Sequence, residues 1–173
     1  YSYIGPKLTY PIYYDGTIGQ AKRHLTKTAE KINEKYSDIK AYISVNKALV
    51  TQASAAIPIV PLYFAILYKV MKVQGTHEGC IEQISRLFHE KLFVEKPVTD
   101  EQGRIRMDDW ELSDEVQDKV MECWKNVTTE NVAELSDIDG YWQDFYQMFG
   151  FHLDGVDYAK DVDLEVAIPS LEK

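Results

Sequence analysis

Ile57 to Gln74 is the most hydrophobic window of the chain, and it constrains the fold more than any other segment. Pro58 and Pro61 punctuate its start, and Gly75 stops it. Pro61 suits the first turn of a helix, where a missing N–H costs nothing. Lys69 and Lys72 lie near the far end. A membrane span needs roughly 20 apolar residues. This run is shorter and is broken by prolines and lysines, so it predicts a buried helix and no transmembrane segment.

Around that helix the patterning alternates between short extended pieces and amphipathic helices. Residues 1 to 16 are rich in Tyr, Pro and Gly and predict an extended piece followed by a loop. Thr17 is placed to cap a helix running to about Tyr36, with Ile18, Ala21, Leu25, Ala29 and Ile32 as its apolar stripe. Ala41 to Val45 favours a strand. The small, polar stretch from Asn46 to Ala56 follows it, and such segments often line ligand sites in α/β proteins. His77 to Phe93 predicts a helix with Ile81, Ile84, Leu87, Phe88 and Leu92 on one face. A polar connection over 94–110 carries a hairpin-like turn at Asp100-Glu101-Gln102-Gly103. Ser113 caps a further helix to about Val127, with Val116, Val120 and Trp124 inward. Two shorter helices are expected over Thr129–Glu134 and Ile138–Phe149, before an acidic, irregular tail. The expected class is α/β, mainly helical, with too few strands for an independent sheet of normal size.

Composition narrows the function. The 173 residues suit one domain. A net charge of -9 makes the chain a poor partner for nucleic acid, whose phosphates require a basic surface. Cys80 and Cys123 form neither a disulfide framework nor a metal-spaced pair, which predicts a reducing, cytoplasmic compartment. His77, Glu78 and Cys80 on one turn are a poor ligand set, so no metal is expected. Asp108-Asp109 and Asp161-Val162-Asp163 read as solvated acidic surface. Trp110, Trp124 and Trp142 read as core or half-buried anchors, and Cys123 as a small buried hydrophobe. The start Tyr1-Ser2-Tyr3 lacks Met and is apolar and Gly/Pro-containing. It reads as the interior of a longer fold, so the chain is expected to lack an N-terminal portion of its own protein.

Tyr13 and Lys22 are the pair that could carry chemistry. They are separated by a turn, with Lys22 early in the first helix. An ammonium near a phenol favours the phenolate and makes the Tyr a usable proton donor near neutral pH. With twelve tyrosines in the chain, this spacing alone says little.

Longer runs say more. Tyr1–Pro6 and Tyr13–Lys22, the latter a Tyr-x8-Lys motif, closely resemble the trans-2-enoyl-CoA reductase family, also described as a single-chain class of enoyl-acyl-carrier-protein reductase. Ser44–Pro58, Pro61–Tyr63, Tyr68–Lys72, His77–Gln83, Gly150-Phe151 and Asp154–Tyr158 continue the resemblance in order. It covers essentially the whole chain but only the C-terminal portion of the family's length, the catalytic part of a Rossmann-like reductase. The resemblance implies reduction of the 2,3 double bond of a trans-2-enoyl-CoA or enoyl-acyl-carrier-protein thioester with NADH. It implies Tyr13 as proton donor, Lys22 as the residue that holds the cofactor and tunes Tyr13, and Tyr3 at the substrate carbonyl. Leu49, Val50 and Thr51 would border the nicotinamide. No G-x-G-x-x-G turn opens a helix here. The family's dinucleotide glycines lie upstream, so this stretch alone is expected to bind NADH weakly. A second reading stays open: a non-enzymatic remnant or module that binds an acyl chain or a partner.

Overall fold

The computed structural model describes residues 1–163, Glu165 and Ala167. A helix that is apolar over most of its surface must be largely surrounded, and the structure is arranged around one. This is α3, Val60–Gln74, in which Tyr63 to Tyr68, Val70 and Met71 are all buried. Pro61 lies in its first turn, and Gly75 ends it in a left-handed conformation. Two amphipathic helices cover it. α5, Asp114–Asn126, contributes Val116 and Val120, with Cys123 and Trp124 packed beside them. α7, Ile138–Gln147, contributes Tyr141 and Phe145. Between them, α6 spans Val132–Leu135. The Asp137 N–H donates to the Ala65 carbonyl, and Asp137 pairs with Lys72, which fastens the start of α7 to α3.

The second half of the architecture is a small parallel sheet. β1 is Ile43–Val45 and β2 is Arg104–Arg106, with Ile43 opposite Arg104 and Val45 opposite Arg106. Ser2 adds a parallel bridge to Val45 on the other side of β1. Its N–H donates to Ser44 O (2.7 Å), and its carbonyl accepts from Asn46 N (2.8 Å). These two bonds set Tyr3 beside the C-terminal end of β1. The first helix, α1 (Thr17–Lys35), runs between the chain start and β1, and α2 (Gln52–Ala55) lies between β1 and α3. The fold is thus α/β and mainly helical, as expected. Among the described residues no helix is long and apolar enough to cross a membrane.

Several local expectations need correction. Gly16, not Thr17, occupies the N-cap of α1, and Thr17 is its first helical residue. The α1 stripe is only partly used: Ala29 is buried, while Ile18 and Leu25 remain 39% and 38% exposed. The helix expected over His77 to Phe93 begins at Cys80 as α4 (Cys80–Arg86) and widens into a π-helical turn over Leu87–Leu92. Its buried face is Gln83, Arg86 and Leu87, and Ile81 is 75% exposed. The turn at Asp100 forms, with Gly103 left-handed, but it leads into β2, which pairs parallel rather than as a hairpin. Asp108 and Asp109 are not solvated surface. Asp108 is buried and chelates Arg106 through both oxygens, while Asp109 pairs with Arg86 and Lys91. Trp142 is 45% exposed on the outside of α7. From Phe151 to Asp163 the tail is exposed and irregular, and the rest of it lies largely outside the described residues.

Candidate active site

The turn from Ile12 to Gly16 places Tyr13 directly before α1. This close approach depends on Gly19. Its N–H donates to Tyr13 O (3.1 Å), and a Cβ there would run into the Tyr14 carbonyl. Arg23 holds the same turn from within α1, donating to Tyr14 O (2.7 Å) while its guanidinium lies over the Tyr14 ring. One turn into the helix, Lys22 points back toward the chain start and donates to Tyr1 O (3.3 Å).

These residues meet the segment after β1 around a single cavity of about 360 Å³. Tyr3, Tyr13, Lys22, Leu49 and Thr51 all line it, with Ala48, Ile57, Val60 and Phe64 as its apolar wall. Thr51 also caps α2 in a reciprocal pair with Ser54. Tyr3 and Tyr13 pack edge to face, with ring centroids 5.2 Å apart. Val50 is the exception among the expected residues. It is buried in the core behind the wall, and its N–H donates to the Tyr68 hydroxyl (3.1 Å). The backbone is strained beside the wall residue Val60, because Ile59 adopts a left-handed conformation (φ 61°) immediately before α3.

Burial raises the Tyr13 phenol above its ordinary value. This is opposite in direction to the effect of a neighbouring ammonium, and it keeps the proton on the hydroxyl at neutral pH. Lys47, at the cavity wall, is buried and pushed down to about 8 by desolvation, which nearby Glu111 and Glu78 partly offset. Its ammonium donates to the Ala48 and Glu78 carbonyls and lies over the Tyr68 ring. The residue that sequence reasoning missed is Glu111. It is fully buried behind Tyr3 and accepts from Tyr3 Oη (2.9 Å), Tyr63 Oη (2.7 Å) and Ala48 N (2.6 Å). Desolvation raises its carboxyl, and those hydrogen bonds pull it back. The Glu78 carboxylate is taken up by a two-pronged pair with Arg86.

Residues 1–93 match the family model described as the trans-2-enoyl-CoA reductase catalytic region. The chain belongs to the trans-2-enoyl-CoA reductase family. Among curated members, it is 56% identical over 174 residues to the enoyl-[acyl-carrier-protein] reductase [NADH] of Cytophaga hutchinsonii, covering 99% of this chain and 44% of that protein. It is 59% identical to the trans-2-enoyl-CoA reductase [NADH] of Clostridium perfringens, covering 95% and 42%. The crystal structure of the Clostridium acetobutulicum trans-2-enoyl-CoA reductase in complex with NADH superposes with a TM-score of 0.90 at 56% identity, covering 94% of this chain and 42% of that one. The chain thus spans less than half the length of these enoyl reductases.

Residues 99–162 match a second model, described as an enoyl reductase FAD binding domain. The residues present do not fit a flavin dinucleotide. A diphosphate seeks helix N-termini and cations. Here α5 opens with Asp114 and Glu115, and Asp137 already caps α7 through Gly140 N.

Proposed function

We propose that this chain is the catalytic and substrate-binding part of an NADH-dependent reductase acting on trans-2-enoyl thioesters of coenzyme A or acyl carrier protein, in cytoplasmic fatty acid metabolism. One observation carries the proposal: Tyr3, Tyr13 and Lys22, from the chain start and α1, share one cavity with Leu49 and Thr51 from the segment after β1. Support comes also from the relatives, whose names specify NADH and enoyl thioester reduction. The remaining, Rossmann-like portion of the protein would hold the other end of the dinucleotide.

The cavity suits the nicotinamide half of the cofactor, with an apolar wall for a flat ring and Lys22, Asn46 and Thr51 as polar groups at its edge. When bound, NADH supplies the hydride that adds to the β-carbon of the enoyl thioester. Tyr13 keeps its proton at rest, because burial raises its phenol, and gives it up as the α-carbon is protonated. A hydroxyl aimed at the developing enolate oxygen stabilises that charge in a water-poor site. Lys22, now bonded to Tyr1 O, would hold the ribose hydroxyls, and its ammonium would steady the phenolate that Tyr13 becomes. Tyr3 stands at the thioester end, while Leu49 and Thr51 border the nicotinamide, with Val50 anchoring that segment in the core.

The test is NADH consumption with crotonyl-CoA by the complete protein. Lys22→Ala should weaken NADH binding about tenfold, in line with the loss of charge-assisted hydrogen bonds, and lower the rate with it. Unchanged NADH affinity in that variant would remove the ribose role.

A further inference from the structure

Tyr3 has a single phenolic proton, and the structure shows where it goes. Tyr63 Oη accepts a bond from Gln117 Nε2 (3.3 Å), so the Tyr63 hydroxyl spends its own proton on Glu111 Oε1 (2.7 Å). The Ala48 N–H can only donate, and it does so to Glu111 Oε2 (2.6 Å). Gln117 Nε2 also donates to the Glu111 backbone carbonyl (2.7 Å), which holds that residue in place. With donors aimed at both of its oxygens, Glu111 has no place for a carboxylic proton. The Tyr3 hydroxyl, 2.9 Å from Oε1, therefore donates to a carboxylate. Tyr13 faces the same cavity, and its hydroxyl has no hydrogen-bond partner among the described residues.

The geometry points to Glu111 as the positioning residue of this site: it locks Tyr3 against the Ala48–Thr51 segment and takes up the proton of Tyr3, leaving Tyr13 as the phenol with a proton free to transfer. This rests on the reductase reading above and deepens it. Glu111 does not line the cavity, and it acts through Tyr3 and Ala48. One rigid acceptor joins the two sides of the cavity, so the substrate end and the nicotinamide end keep a constant separation. Small errors in such a separation are costly to a reaction that needs two groups aligned.

Glu111→Gln keeps the shape but changes the donors. Its amide oxygen can still accept from Ala48, and its NH₂ then faces Tyr3 and Tyr63 and turns the Tyr3 proton away. In the complete protein, Glu111→Gln is expected to lower kcat with crotonyl-CoA roughly tenfold, with the KM for NADH within about twofold. Adding Tyr3→Phe to Glu111→Gln should cost less than about twofold more, because the two act as a unit. Losses that multiply independently would overturn the coupling. A second measurement compares the resting proteins. The Cζ resonance of a ¹³C-labelled Tyr3 should titrate at higher pH in the unsubstituted protein than in Glu111→Gln, because burial and the adjacent carboxylate both raise that phenol and only the carboxylate is lost. The same titration in both proteins would overturn the Glu111 bond. An unsubstituted protein that does not consume NADH would overturn the reductase reading, and the resonance would still decide the Glu111 bond.

Discussion

His77 shows how far a single side chain can be set by what surrounds it. Its ring packs edge-on against Tyr68, with centroids 4.4 Å apart, and its Nδ1 is buried without a partner. Desolvation, assisted by Lys47 and Lys72, pushes it down to about 4. In the unfolded chain it binds a proton near pH 6.5, so between 6.5 and 4 the unfolded state holds more protons. This contribution is complete above pH 6.5 and is lost as the pH falls through 4. Part of the ring reaches solvent, which screens the effect to about 1–2 kcal/mol. His77→Phe should remove that component of the acid destabilisation, as read from denaturant melts at pH 7 and pH 4.5. An unchanged difference between the two pH values would show that His77 is already charged in the fold. Neither this behaviour nor the role of Glu111 could be read from the sequence. Glu111 is one of 28 acidic residues, and its burial is decided by Tyr3, Tyr63 and Ala48, which are distant along the chain.

At the scale of elements, the legible parts are those that carry their own signals. α3 announces itself by an apolar run between Pro61 and Gly75, and α5 by the Ser113 cap and inward Val116 and Val120. β2 is hidden because Arg-Ile-Arg looks like surface. Its arginines are neutralised by Asp100 and Asp108, and its pairing comes from β1, some 60 residues earlier in the chain. The burial of Asp108 and the pairing of Asp109 are hidden for the same reason. α1 is a mixed case, since its extent is legible while the reason for its placement is not. That reason is Gly19, where the helix backbone meets the Tyr13–Tyr14 turn. Gly19→Ala should force the turn away from α1, destabilising the protein by about 2 kcal/mol or more and displacing Tyr13. Thermal melts and the crotonyl-CoA rate together check this, and a variant with wild-type values for both would show that the turn can yield.

At the scale of the molecule, the segment that leaves the C-terminal end of β1 joins the parallel sheet to the buried α3, where Val50 N–H donates to Tyr68 Oη and Ala48 packs into the core. Ser2 bridges β1 there, so Tyr3 arrives from one side and the 46–51 segment leaves on the other. α1 brings Tyr13 and Lys22 to the same opening. Of the residues that the resemblance singled out, Tyr3, Tyr13, Lys22, Leu49 and Thr51 line this opening, and Val50 lies behind its wall. Charge alone would not have located the site, because the chain is acidic while the cavity edge carries Lys22 and Lys47.

The most direct test of the account is Tyr13→Phe in the complete protein, measured by crotonyl-CoA reduction and by NADH binding in parallel. The substitution removes one hydroxyl and leaves the ring that packs against Tyr3. Turnover is expected to fall about 10²–10⁴-fold, as for removal of a general acid, with NADH affinity nearly unchanged. Turnover within a few-fold of the unsubstituted protein would contradict it and take Tyr13 out of the mechanism.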